Sequence, residues 1–287
     1  MELIVDRLTK KYENKIAVDR VSYKMTKGIY GLLGANGAGK TTLMRMLCGI
    51  LKPTGGEVKF NGIDVSREEY REALGYLPQE FGYYPEFTGM EFLSYMGTLK
   101  GLSKGATLTK AKELAELVGL SEQAKRKIKT YSGGMKQRLG IAQSIINNPQ
   151  ILILDEPTAG LDPKERVRFR NLISQLGVDR IVLLSTHIVS DIEDIAGEIL
   201  IMKDGALAES GAAENILRTV EGRIWECRVD SRTAGTLMDR YPVVNVRQCG
   251  AEEELRLISD TKPHENAVQA KAGLEDLYLY YFSGEER

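Results

Sequence analysis

The chain has 287 residues, 43% of them hydrophobic and 28% charged, which suits one large globular domain or two smaller ones. A formal net charge of -1 supplies no bulk positive field, so no nucleic-acid partner is expected, and no apolar run approaches the roughly 20 residues of a membrane-spanning helix. Three scattered cysteines and two histidines lack metal-ligand spacing, which fits a reducing compartment and excludes a cysteine- or histidine-rich metal centre.

Taken from the N-terminus, "MELIVDRLTKKY" lacks the charged start, apolar middle and small-residue cleavage site of a signal peptide. "GIYGLLG" reads as a short apolar strand closed by glycine, and "KTTLMRMLCGIL" has helical apolar spacing. Between them, Gly34 to Thr41 ("GANGAGKT") fits G-x-x-x-x-G-K-[ST] in the strand–loop–helix context that this motif requires. Backbone N–H groups from Asn36, Gly37, Ala38 and Gly39 are expected to wrap phosphates, with the helix N-terminus adding a favourable dipole. Lys40 is expected to reach the β- and γ-phosphates of ATP, Thr41 to offer its hydroxyl to Mg²⁺, and Thr42 to extend the set. The blander reading is a tight strand–helix turn with an exposed lysine.

"LGYL" is a short strand followed by Gln79, whose candidacy for metal and water contacts depends on the residues around it. "EFGYYPEF" then puts Phe81, Tyr83, Tyr84 and Phe87 in one loop, either packed beneath neighbouring helices or lining a groove. "GMEFLSYMGTLKGL", "TKAKELAELVGL" and "GMKQRLGIAQSIINN" read as helices, so residues 86–148 form a helical insert in an α/β core. The third of these follows a second glycine pair, "YSGGMKQRLG", with Ser132 placed to cap it.

"ILILDEPTAGLD" is an apolar run that delivers Asp155 and Glu156 at its C-terminal end, where ligands sit in open α/β sheets. Asp155 is placed to hold Mg²⁺ and Glu156 to polarise an attacking water. The plainer alternative is an acidic pair that caps the next turn. "RIVLLSTH" brings His187 to the equivalent edge of a neighbouring strand, within reach of a γ-phosphate. Beyond residue 218 the pattern changes. "RIWECRVD" and "ELRLIS" alternate as strands, and "ENAVQAKAGLEDLYLYYF" has apolar residues at helical spacing, so residues 219–287 are expected to form a small C-terminal α+β domain after a first domain of residues 1–218.

The phosphate loop, "LPQ", "YSGGMKQR", "LILDEPTAGLD" and "STH", in this order, resemble an ATP-binding cassette (ABC) transporter ATPase over roughly residues 2–218. That resemblance implies a P-loop NTPase (RecA-like) core with a helical subdomain, and Mg²⁺-dependent ATP hydrolysis. It implies adenine stacking on Tyr12, a sensing role for Gln79, and a γ-phosphate switch at His187. It also explains two glycine loops in one chain. Ser132 and Gly134 would face the nucleotide of a second cassette, with Asp162 of "AGLD" crossing to that subunit, in a homodimer or heterodimer. The signature departs from the usual leucine-serine-glycine-glycine-glutamine at Tyr131 and Met135, and Ala35 stands where proline is frequent. A single cassette without a coiled-coil insert implies a subunit served by a separate transmembrane permease, peripheral on the cytoplasmic face of the membrane. "YLPQEFGYYPEFTGMEFL" and "GLEDLYLYYFSGEE" resemble the bacterial branch that exports drugs, antimicrobial peptides or other hydrophobic cargo. The alternative is a non-transport ABC ATPase that clamps or remodels a macromolecule.

Overall fold

A computed structural model describes residues 1–283. The chain divides into two units, one from Met1 to Ala208 and one from Glu209 onward. In the first, β1 (Leu3–Tyr12), β2 (Lys15–Met25) and β3 (Gly28–Leu33) precede α1 (Lys40–Leu47). Next come β4 (Gly55–Phe60), β5 (Ile63–Asp64), α2 (Glu68–Glu72) and β6 (Leu74–Leu77). The helices α3 (Gly89–Leu99), α4 (Lys104–Leu117) and α5 (Gly133–Ser144) follow. Then come β7 (Ile151–Asp155), α6 (Pro163–Leu176), β8 (Ile181–Thr186), β9 (Glu198–Lys203) and, at the division, β10 (Ala206–Gly211).

The six-stranded sheet runs β10-β9-β3-β8-β7-β6, with β9-β3-β8-β7-β6 paired in parallel. Every residue of "ILILD" and "IVLLST" is buried, as expected of central strands covered on both faces. Because β8 lies between β3 and β7, the loops after these three strands open at one rim. A second sheet, β2-β1-β4-β5, is antiparallel. Its alternating inward residues Leu3, Val5, Leu8 and Val58 share a core with Met44 and Leu47 of α1 and Ile153 of β7. Sequence periodicity did not reveal this sheet, since β1 and β2 carry bulges that interrupt strict alternation.

The insert starts where local chemistry says it should. Thr88 Oγ1 accepts the Glu91 N–H at 3.2 Å while Glu91 Oε2 accepts the Thr88 N–H at 2.7 Å, a reciprocal cap on α3. Ser103 caps α4, five residues earlier than the helix read from "TKAKELAELVGL", and Ser132 caps α5.

The second unit contains α7 (Ala213–Ile216), β11 (Ile224–Asp230), α8 (Ser231–Arg240), β12 (Val243–Cys249), β13 (Glu252–Ile258), β14 (Val268–Gln269) and α9 (Leu274–Phe282). Its antiparallel sheet, ordered β12-β13-β11-β14, buries Cys227, Val229, Leu255 and Leu257 against Ala234 and Leu237 of α8. The division falls ahead of residue 218 because the turn Leu217–Val220 packs on α9.

The helical spacing over 267–281 needs correcting. Its first part forms β14, paired with β11, and Ala270 N–H donates to Ile224 O at 2.9 Å. The helix itself begins after Gly273, where buried Asp276 accepts the Gly273 N–H at 2.6 Å and takes a two-pronged bond from Arg256 at 2.8 and 2.7 Å. A cross-strand arginine therefore decides where α9 starts, which no local pattern contains. The last residues of "GLEDLYLYYFSGEE", from 284 on, lie outside the described residues.

Candidate active site

The loop between β3 and α1 turns on Gly39, at φ +106°. A Cβ there would lie 2.3 Å from the Ala17 carbonyl oxygen, so only glycine fits this approach of the loop to β2. Lys40, the first residue of α1, folds back over the loop. Its Nζ donates to Gly34 O at 2.6 Å and Ala35 O at 3.2 Å, and lies 3.8 Å from Glu156 Oε1. Burial holds the Lys40 ammonium below its ordinary range, opposed by the carboxylates of Glu156 and Asp155.

From the end of β7, Asp155 meets two hydroxyls. Ser185 Oγ of β8 donates to Asp155 Oδ1 at 2.7 Å, and Thr41 Oγ1 of α1 lies 3.4 Å from the same oxygen. Asp155 and Ser185 are register partners in the sheet, which explains the contact. The other carboxylate oxygen, Oδ2, is buried without a hydrogen-bond partner among the described residues. A buried anionic oxygen left open beside a hydroxyl suits a hard cation.

Glu156 follows at φ +49°, a left-handed conformation that few non-glycine residues adopt. Its N–H donates to Ser185 Oγ at 3.0 Å, and its Oε2 lies 3.0 Å from Nδ1 of His187, just past β8. Glu156 thus stands between an ammonium and an imidazole.

A cleft of about 410 Å³ is lined by Tyr12, Lys15, Ala17, the loop residues Ala35 to Gly37, Gly39 to Thr42, Gln79 and Glu156. Tyr12, Asn36, Gly37, Gly39, Lys40, Thr41, Thr42, Gln79 and Glu156 were all expected here. Ala38 is not in the lining; it is buried, and its N–H donates to Ala35 O at 3.2 Å inside the loop. Ser132, Gly134 and Asp162 are also absent from the lining. Ser132 caps α5, its Oγ accepting the Met135 N–H at 3.2 Å. Asp162 caps α6 and is exposed.

Sequence reasoning missed Ser185, which is 0% exposed and ties Asp155 to Glu156. Its signal was its place in "STH", one strand over from the acids. The aromatic loop forms one cluster: Phe81, Tyr83 and Phe92 meet with ring centroids 4.7 to 5.9 Å apart, and Tyr84, Phe87 and Tyr95 continue it. Tyr83 donates to Lys136 O of α5 at 2.5 Å, whereas Tyr84 is 48% exposed.

Among known proteins, the ABC transporter family model matches residues 18–159. The linearmycin resistance ATP-binding protein of Bacillus subtilis (strain 168) is 32% identical, over 93% of this chain and 88% of its own length. A daunorubicin resistance ATP-binding protein of Streptomyces coeruleorubidus is 33% identical, over 95% of this chain and 86% of its own. A solved dimeric ATP-binding cassette, in a post-hydrolysis state bound to ADP and Pi, superimposes with a TM-score of 0.68 at 25% identity, covering 73% of this chain and 98% of that one.

Proposed function

The chain belongs to the ABC transporter ATP-binding proteins, ATPases of the P-loop fold, and from that premise we propose how its residues divide the reaction. The observation that carries the proposal is the buried Glu156 carboxylate, held between Lys40 and His187 at the rim of the sheet. ATP lies in the cleft with adenine on Tyr12 and its phosphates on the loop from Asn36 to Thr42. Lys40 exchanges its bonds to Gly34 and Ala35 for phosphate oxygens. Thr41 and Asp155 would hold Mg²⁺, with Gln79 nearby; the open Oδ2 of Asp155 is the acceptor such an ion would need. The chemistry supplied there would be neutralisation of phosphate charge. Glu156 orients a water for in-line attack on the γ-phosphorus and takes its proton as the β–γ bridging bond breaks, releasing ADP and phosphate. His187 fixes the Glu156 carboxylate and contacts the γ-phosphate.

The set is divided between chains. Ser132, Gly134 and Asp162 serve the nucleotide of a second cassette, with a second copy of this chain as the first partner to test. No described helix is long and apolar enough to cross a membrane. In our reading a separate permease supplies the transport path, and this subunit serves it from the cytoplasmic face. The aromatic surface around Tyr84 is the docking face for that permease. Both relatives above are named for drug resistance, which favours export of hydrophobic compounds over a macromolecule-clamping ATPase.

Mixing variants tests the division. Lys40→Ala should weaken ATP binding roughly 10- to 100-fold, since it removes charged phosphate bonds. Ser132→Arg should keep monomer ATP affinity within about threefold and block ATP-driven dimers by bulk and charge. The mixture should recover at most one composite site. Turnover per chain that is independent of protein concentration would overturn the shared-site reading.

A further inference from the structure

The first turn of α6 touches two places that the proposed reaction assigns to different nucleotides. Asp162 caps that turn, its Oδ1 accepting the Glu165 N–H at 2.8 Å. Glu165 itself lies against α5. A Cβ built on Gly134 would fall 1.6 Å from Glu165 Oε2, so this carboxylate fills the space that any side chain at 134 would need. The same carboxylate lies 3.4 Å from Arg138 Nη2. Arg138 Nη1 also donates to Val118 O and Gly119 O at 3.1 and 3.0 Å, closing the end of α4. The Arg138 and Glu165 side chains are only 17% and 16% exposed, so their pairing is poorly screened.

The next residue serves the other half-site. Arg166 Nε donates to Leu161 O at 3.3 Å, and its Nη1 lies 3.5 Å from Asp191 Oδ1. Asp191 is 1% exposed and accepts the Thr158 hydroxyl on its other oxygen at 2.5 Å. Asp191 closes the short 3₁₀ turn Val189–Asp191, which starts two positions past His187, while Thr158 stands two positions past Glu156. Arg166 therefore braces the loops that carry the catalytic pair.

We propose that Glu165 and Arg166 are positioning residues through which the first turn of α6 holds the Ser132 half-site and the Glu156–His187 half-site in one fixed relation. The inference rests on the shared-site reading. Gly134 acquires a second role in it: the absent side chain admits the Glu165 carboxylate to the start of α5. Displacing a positioned group by about 1 Å is enough to cost a large part of a reaction's rate, so two contacts on adjacent residues can link events at two nucleotides.

The test uses ATP-driven dimerisation, read by analytical ultracentrifugation, in a Glu156→Gln background that retains ATP. Adding Glu165→Ala should weaken the dimer about three- to tenfold, the range of one lost hydrogen bond together with the emptied space beside Gly134, with monomer ATP affinity within about twofold. Glu165→Gln keeps the bulk and an acceptor oxygen and should stay within about twofold of its parent. If the alanine variant does not fold, Glu165→Asp, one methylene short of Gly134 and Arg138, replaces it and should weaken the dimer similarly. In the otherwise native chain, Arg166→Ala should lower kcat about tenfold at saturating ATP and protein while dimer affinity stays unchanged, and Arg166→Lys should recover part of the loss. Tight dimers from the Glu165→Ala chain, a glutamine variant as weak as alanine, or an unchanged kcat in Arg166→Ala would each overturn this inference alone. Failure of the parent Glu156→Gln chain to dimerise with ATP would overturn the shared-site reading and this inference with it.

Discussion

Lys40, Asp155 and Glu156 are at most 6% exposed at the rim of the parallel sheet, whereas Ser132 and Asp162, proposed to serve a second nucleotide, stand exposed. At the rim, neighbouring strands feed polar groups into a space already occupied by other polar groups. Lys40, Ser185, Thr41 and His187 answer the two carboxylates within one chain. On the helical insert, Ser132 caps α5 by accepting the Met135 N–H and stays exposed, while Glu165 packs behind it at Gly134. The first arrangement is what buried charge requires, since desolvated ions must be paired or hydrogen-bonded. The second suits a surface whose partner comes from elsewhere. The proposed division of each site between two cassettes needs both, the buried half being the one proposed to act on the chain's own nucleotide.

The strongest way to break this contrast is Glu156→Gln. The amide keeps the size and the neighbours but cannot take a proton. Turnover should fall about a hundredfold or more, while ATP affinity stays within about threefold. Phosphate-release and equilibrium-binding measurements on one preparation separate the two effects. Wild-type turnover in this variant would remove Glu156 from the role of base.

A smaller effect, on stability rather than chemistry, sharpens the description of the insert. Tyr83 packs on Phe81 and Phe92 and bonds Lys136 O, so Tyr83→Ala leaves a cavity and removes the hydroxyl bond that ties the loop to α5. It should destabilise the first unit by about 2–4 kcal/mol. Tyr84→Ala, at an exposed ring, should cost less than about 1 kcal/mol but should abolish co-purification with a membrane partner. Denaturant melts and pull-down with permease-containing membranes read the two variants side by side. Equal destabilisation by both would make the whole loop core and move the docking surface elsewhere.

Glu86→Gln should give the smallest change. Glu86 pairs with Lys127 and Lys129 at 2.8 and 2.9 Å, joining the aromatic loop to the segment before Ser132. Hydrogen bonds to those two lysines pull its carboxyl from 4.5 to about 2. A carboxylate with a lowered pKa contributes stability that is fully present above pH 4.5 and fades as pH falls toward 2. The side chain is exposed, so salt screens the pair. At pH 7 the variant should melt no more than about 2 °C lower, and the difference should shrink in 1 M salt. A larger, salt-insensitive drop would mean that this bridge bears on the placement of α5.

The chemistry of the rim was legible in the residues, because it depends on short-range order. A phosphate loop has to sit between a strand and a helix, and acids at the end of an apolar run have to emerge at the sheet edge. Lys40, Thr41 and Glu156 could therefore be named before any fold was drawn, whereas Tyr12 and the role of Gln79 came from the family resemblance. Ser185 could not, because its importance comes from strand order. Only with β8 between β3 and β7 does its hydroxyl fall opposite Asp155. The N-terminal sheet stayed hidden behind its bulges, and the start of α9 depends on Arg256, which reaches it from another strand. The contacts of Glu165 and Arg166 belong to the same class. Their spacing reads as an ordinary charged helix start, and their partners at 134, 138 and 191 lie far off in sequence. Local pattern thus determined which residues gather at the rim as candidates to meet phosphate, since capping, turn geometry and strand burial act over a few positions. Tertiary structure alone decided what Ser185, Glu165 and Arg166 touch, since those contacts rest on side chains brought together by sheet order and helix packing.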